Sequence, residues 1–296
     1  MADVAVLGTG RMGAAMVRRL AEGGHHVRVW NRTAETAERL VAEVSTPAVQ
    51  LAETAPSAVR GAPVVITMLA DGGATCAVLL DGEMLDALAA DTIVVDHGTT
   101  GVANAHALAE GLEAVGVRFV DAPVSGSVPA VLSGSLLVMA AGDPDAIEAV
   151  RPTLAAYARD VVRVGDVGSG QAMKLAVNLV VHDLNAALSE ALQMAEKSGI
   201  SREDAYAVLL QSVVAAPFVT YKRAAFLDAS TPVAMSLALV EKDLALIVEH
   251  AAAVGAGTRV TAAALAEVGE AVRRGMGGRD MADLSRVDAP GGPVQP

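Results

Sequence analysis

In the first half of the chain, short apolar runs alternate with stretches in which apolar residues recur at helical spacing. The runs at 4–7, 27–30, 64–68, 93–96, 117–120, 136–140 and 161–164 read as strands, and segments such as 11–22 and 35–43 as helices. Strand–helix alternation predicts a doubly wound, mostly parallel sheet. After Gly170 the period changes: from 171 to 197 apolar residues recur every three or four positions, and no convincing strand follows. The second half is therefore expected to be all-helical, opened by one long interdomain helix of about seven turns. The glycine-rich stretch 165–170 marks the junction. The expected organisation is a Rossmann domain over 1–165, a helical domain over 166–287 for substrate and oligomerisation, and a disordered Gly- and Pro-rich tail over 288–296.

Composition narrows the class. At 296 residues the chain suits two cores better than one. Hydrophobic residues make up 53% but aromatics only 2%, so the interior must be built from Ala, Val and Leu. Mean hydropathy is positive. Even so, the long apolar region after Ala172 is broken by Lys174, Asn178, His182, Asp183, Asn185 and Glu190, short of the ~20 apolar residues a membrane span needs. Asp3 stands where a secretory leader would be basic, and the lone Cys76 cannot form an internal disulfide. A cytoplasmic protein without a membrane partner is expected. A net charge of −12 argues against nucleic acid. No His, Cys, Asp and Glu grouping has metal-ligand spacing, so no metal is expected.

The first chemical signal is Gly8-Thr9-Gly10-Arg11-Met12-Gly13, which lies between a strand and a helix. Alone, GxGxxG is weak; in this context it reads as a dinucleotide phosphate loop, with a purely structural glycine turn as the alternative. Gly8 would allow the tight turn, Gly10 the approach of the pyrophosphate, and Gly13 close helix packing. The second strand ends on Asn31-Arg32-Thr33, without the carboxylate that binds a ribose 2′-hydroxyl. A guanidinium pairs with a 2′-phosphate, so NADPH (NADP+) is expected over NADH.

Two further segments carry polar groups suited to carbonyl chemistry. The Ser hydroxyls and amides of 121–127 could cradle a carboxylate. Residues 168–174 lead into the long helix, with Asn178 one turn beyond Lys174 on the same face, expected at an interdomain cleft. An ammonium beside a carbonyl that receives hydride stabilises the growing negative charge and donates the proton. His182 falls on roughly the same helical face. His97 lies near the expected cofactor position, and His25 and His26 read as turn residues before a strand. Their roles stay open at this stage, and Ser125-Gly126-Ser127 lacks the setting of a nucleophile elbow.

Together these pieces, in order over nearly the whole chain, resemble the β-hydroxyacid dehydrogenase family: Gly8–Gly13, Asn31-Arg32-Thr33, 121–126, 168–174 with Asn178, and Lys242-Asp243-Leu244. The family includes 3-hydroxyisobutyrate dehydrogenases and glyoxylate/succinic semialdehyde reductases. The resemblance implies Lys174 as catalytic acid/base with Asn178 beside it, and Ser125, Gly126 and Ser127 at the substrate carboxylate. It further implies Thr99, Met68 and Leu69 near the nicotinamide and Lys242 reaching the cofactor. The segment from Ala216-Pro217-Phe218 through Lys222, Pro232 and Lys242 most resembles the glyoxylate/succinic semialdehyde branch. Departures are Asp96-His97-Gly98-Thr99 for Asp-x-Ser-Thr, Ser127 for a Gly, and Met235 for a Phe on the pocket wall. The implied activity is NADPH-dependent reduction of small carboxylate-bearing aldehydes or keto acids, or oxidation of the matching β/γ-hydroxyacids, by a homodimer or homotetramer. The rivals are an imine reductase, whose relatives carry Asp or Tyr in place of Lys174, and a non-catalytic cofactor-binding module, whose relatives lose the lysine.

Overall fold

The computed structural model describes residues 2–287, so the expected tail 288–296 lies outside the described residues. The chain divides after Lys174 into two compact units. The first runs β1 (Asp3–Leu7), α1 (Arg11–Glu22), β2 (His26–Trp30), α2 (Ala34–Val44), β3 (Val49–Leu51), α3 (Ala55–Val59), β4 (Val64–Thr67), α4 (Gly72–Leu79), α5 (Gly82–Ala87) and β5 (Ile93–Asp96). It continues through α6 (Val102–Glu113), β6 (Arg118–Asp121), β7 (Val124–Ser125), α7 (Val128–Leu132), β8 (Leu136–Gly142), α8 (Pro144–Leu154) and β9 (Ala158–Gly165) to the first turns of α9 (Ser169–Lys197).

The strands pair in the order β3-β2-β1-β4-β5-β6-β8-β7, with β9 on β8. The pairings from β3 to β6 are parallel, while β8 runs antiparallel to β6 and β7. This is the expected Rossmann sheet. Its central strands β1, β4 and β5 are buried on both faces because helices cover both. On β1 the alternation is explicit. Val4 and Val6 pack with Met16, Leu20, Ile147 and Leu154, whereas Ala5 and Leu7 pack with Val59, Leu79, Leu108 and Leu112. Each such side chain contributes about 1.5–3 kcal/mol on burial. Since β1 feeds both layers, the loop after it is anchored from either side.

Two strands escaped the sequence reading. β3 has three residues of which only Val49 is buried, and β7 has two, too short for any period to show. His26 opens β2 rather than preceding it.

The second unit is helical: the rest of α9, α10 (Arg202–Gln211), α11 (Pro217–Leu227), α12 (Leu237–Ala253) and α13 (Arg259–Ala271), then a π turn (Val272–Met276) and a 3-10 turn (Met281–Arg286). Among the described residues its only β pairing is the bridge between Ser236 and Asp280. Buried Lys222 of α11 donates to Asp280 Oδ1 at 2.6 Å. Asp280 in turn accepts from the amides of Ala234 (2.8 Å), Met235 (3.2 Å) and Ala282 (3.0 Å). Burial opposes ionisation of Asp280, but the lysine and these amides outweigh it and hold the carboxyl below its usual range. The ion pair ties α11, and the amide bonds tie the segment before α12, to Asp280 at the start of the 3-10 turn. No helix among the described residues is long and apolar enough to cross a membrane.

Candidate active site

The loop between β1 and α1 sits where the strand order reverses, the usual ligand crevice of an open α/β sheet. Its glycines have separate reasons. Gly8 has φ +102°, and a Cβ there would meet Met68 O at 2.4 Å; a Cβ on Gly13 would meet Gly8 O at 2.0 Å. Around Gly10 there is nothing within 4 Å, which leaves that side of the loop open to a ligand. Gly10 caps α1 without a side-chain hydrogen bond, so the first-turn amides are available to an anion. Thr9 Oγ1 is buried and has no partner. Open space, free amides and an orphaned hydroxyl fit a dinucleotide pyrophosphate. The loop is held by Gly8 N donating to Trp30 O (2.9 Å) and Thr9 N to Asn31 Oδ1 (3.0 Å), while Asn31 Nδ2 donates to Thr33 O (2.9 Å). Met12 is half-buried, and Arg11 and Arg32 are exposed. Neither arginine forms an ion pair among the described residues. Met68 and Leu69, both half-buried, lie against Gly8.

The ends of β5 and β6 carry two buried carboxyls. Asp96 accepts from Thr67 Oγ1 (2.7 Å), Gly98 N (3.2 Å) and Thr100 Oγ1 (3.0 Å), yet burial pushes it up to about 6. Asp121 accepts from Gly168 N (3.0 Å), Gln171 N (3.1 Å) and Gln171 Nε2 (3.0 Å); burial raises it too. Asp121 thereby caps the start of α9 from another element. His97 is buried, with Nδ1 2.6 Å from Ala122 O and Nε2 2.7 Å from the hydroxyl of buried Tyr157. A carbonyl only accepts, so Nδ1 carries the proton and Tyr157 donates to Nε2. Burial lowers His97 to about 4. His97 is thus a neutral core residue with both nitrogens engaged.

Thr99 is half-buried between Gly98 and Thr100, both of which hydrogen-bond to Gln171. Lys174, half-buried, follows Gln171 by three residues on α9. On the neighbouring segment Ser125 belongs to β7 and pairs with Leu137 of β8. Gly126 has φ +134°, and a Cβ there would meet Leu136 Cδ1 at 2.8 Å. Ser127 stands at the N-cap of α7 without capping it, so its hydroxyl is not spent there.

In the second unit Asp243 of α12 is the organising residue. It is buried, and its Oδ2 lies 2.8 Å from Asn178 Nδ2 and 3.4 Å from His182 Nε2. Lys242 Nζ lies 2.9 Å from Oδ1. Burial opposes the charge on Asp243, but the His182 hydrogen bond and the Lys242 ammonium prevail and hold it below its usual range. An ionised carboxylate only accepts; Asn178 must therefore turn its NH2 to Asp243, and His182 must donate from Nε2. His182 Nδ1 is buried without a hydrogen-bond partner. Met235, half-buried, has its backbone fixed by Asp280 and by Met281 N donating to its carbonyl at 2.8 Å.

Comparison with known proteins decides the family. Residues 3–165 match the NAD binding domain of 6-phosphogluconate dehydrogenase. Residues 168–287 match the NAD-binding domain of NADP-dependent 3-hydroxyisobutyrate dehydrogenase. The chain belongs to the β-hydroxyacid dehydrogenase family. Among relatives, glyoxylate/succinic semialdehyde reductase 1 of Arabidopsis thaliana is 31% identical over 82% of this chain and 83% of its own. The solved 3-hydroxyisobutyrate dehydrogenase of Mycobacterium tuberculosis with L-serine is 29% identical, with TM-score 0.83, over 97% of this chain and 98% of its own. An imine reductase from Myxococcus stipitatus shares the fold at 21% identity and TM-score 0.65, over 97% of this chain and 99% of its own. Membership makes the chain an NAD(P)-dependent oxidoreductase, built as the family is from a Rossmann domain and a helical domain.

Gln171 and Asp121 lie inside the motifs 168–174 and 121–126, but the sequence reading assigned neither a role; in the structure they bond to each other and hold the frame. A signal was present. On α9 the buried positions Gln171, Leu175, Asn178, His182, Asn185, Ser189 and Leu192 recur every three or four residues, and most are polar. Such a stripe marks a helix whose inner face makes hydrogen bonds.

Proposed function

We propose that the chain is an NADPH-dependent reductase of small carboxylate-bearing aldehydes or keto acids, of the glyoxylate or succinic semialdehyde type, that also oxidises the corresponding hydroxyacids. Lys174 carries this reading: it follows the Asp121 cap on α9, within three residues of the side chain that holds the Thr99 turn. The bound nicotinamide supplies the hydride. Lys174 holds a proton toward the carbonyl oxygen, stabilises its developing charge and gives that proton up as the alcohol forms; oxidation reverses each transfer. Asn178, its NH2 engaged by Asp243, orients its carbonyl oxygen as an acceptor for the ammonium or for a substrate hydroxyl. The Ser125-Gly126-Ser127 segment offers hydroxyls and amides to the carboxylate, and Met235 limits chain length. Exposed Arg32 at the end of β2, with no carboxylate beside it, supports the 2′-phosphate preference.

Lys174→Ala should lose at least about 100-fold in kcat with NADPH binding retained. Following NADPH absorbance with glyoxylate, succinic semialdehyde, methylmalonate semialdehyde and a cyclic imine tests the substrate class. Turnover of the imine alone, or normal turnover by Lys174→Ala, overturns the proposal.

We also read the chain as a homodimer or homotetramer. Met173, Val180 and Met194 lie seven and then fourteen residues apart on α9, and Val180 and Met194 are 63% and 69% exposed. An apolar stripe of this kind favours a second copy. A monomer by light scattering at micromolar concentration would reject it.

A further inference from the structure

We infer that Gln171 is a positioning residue of this reaction, acting through Thr99 and Lys174 without touching substrate; the inference rests on the reading of Lys174 as the acid. Gln171 is 0% exposed. Its Oε1 accepts from Thr100 N (2.9 Å) and Gly101 N (3.1 Å), and its Nε2 donates to Gly98 O (3.0 Å) and Asp121 Oδ1 (3.0 Å). A primary amide has two protons to give and two lone pairs to receive, so its capacity is filled. The orientation is forced, because the carbonyl of Gly98 can only accept and the amides of Thr100 and Gly101 can only donate.

These contacts bracket one residue. The carbonyl before Thr99 and the two amides after it are all bound by Gln171, which fixes the Thr99 peptide plane by plane. Gln171 also lies three residues before Lys174, on the turn of α9 that Asp121 caps. One side chain therefore sets the Thr99 turn in register with the helical turn that presents the lysine. An apolar side chain of equal volume would leave the Thr100 and Gly101 amides, the Gly98 carbonyl and Asp121 Oδ1 without these bonds, so Gln171 contributes to stability as well, and the test must separate the two roles. Four directed bonds add what an apolar residue cannot: a fixed angle between two backbone segments.

The test uses the NADPH-bound enzyme with whichever acidic aldehyde it turns over. Gln171→Met keeps the volume and removes all four bonds. Well below its melting temperature, it should bind NADPH within about threefold of wild type yet lose at least about tenfold in kcat, more than any change in KM, because misplacement of roughly an ångström is worth that much or more. Gln171→Glu keeps the acceptor for Thr100 and Gly101 and regains a donor only when the introduced carboxyl is protonated, so its kcat relative to wild type should climb as pH falls. A kcat for Gln171→Met within about twofold of wild type overturns the inference. So does a Gln171→Glu ratio that does not change with pH, which decides the matter if Gln171→Met fails to fold. Lys174→Ala, measured alongside, separates the two readings: full activity there defeats the lysine assignment, whereas an inactive Lys174→Ala beside a fully active Gln171→Met defeats only the positioning role.

Discussion

Asp96 and His97 are neighbours at the end of β5, and the same burial drives their protonation in opposite directions, the carboxyl up to about 6 and the imidazole down to about 4. Between those values the folded chain keeps a proton on Asp96 that the unfolded chain has lost, and lacks one on His97 that the unfolded chain holds. The first makes stability fall as pH rises, the second makes it rise, and across the shared window they cancel. Urea unfolding at a series of pH values should therefore separate the single variants. Asp96→Asn leaves the His97 contribution, a stability that climbs with pH by up to about 1.4 kcal/mol per unit relative to wild type. His97→Asn leaves that of Asp96, which declines with pH at a similar rate. Parallel profiles for wild type and both variants would contradict the assignment of these shifts.

The glycines of the phosphate loop should fail in different ways. A methyl on Gly13 runs into a backbone oxygen that cannot retreat, so Gly13→Ala should lower stability by about 1–3 kcal/mol or more. A methyl on Gly10 meets no protein atom within 4 Å. Gly10→Ala should melt close to wild type and still lose at least about tenfold in NADPH affinity, because it fills space the pyrophosphate needs. Calorimetry and a fluorescence titration on each variant suffice, and undiminished affinity in Gly10→Ala would move the cofactor away from this loop.

Cofactor choice is assigned to one exposed side chain. Arg32→Glu should weaken NADPH by about tenfold or more, roughly 1.4 kcal/mol, while NADH changes by less than about threefold. Equal affinities of the wild type for both cofactors would remove the basis for the preference.

What the sequence disclosed and what it hid follow one division. Gly8, Gly10 and Gly13 were legible because they recur at a fixed short spacing between a strand and a helix. The strand alternation was legible because the central strands β1, β4 and β5 are buried on both faces and read as nearly unbroken apolar runs. The roles of Gln171 and Asp121 were not, although both stood inside the quoted motifs, since their partners lie 47 to 73 residues away in the chain and a glutamine in a helix ordinarily reads as surface. His97 illustrates the converse. Its place near the expected cofactor position left a role at the substrate open, and its bonds to Ala122 and Tyr157 show that it belongs to the interior.

The Lys222–Asp280 pair bears on how the helical unit can change over time. Because Asp280 grips the amides of Ala234 and Met235 and is itself neutralised from α11, the backbone at Met235 has little freedom to shift when its side chain is exchanged. Exchanges of the Met235 side chain would therefore take place on an unmoving scaffold, each step small and reversible, whereas an insertion or deletion between α11 and α12 would break the Asp280 contacts and forfeit the fold of this unit.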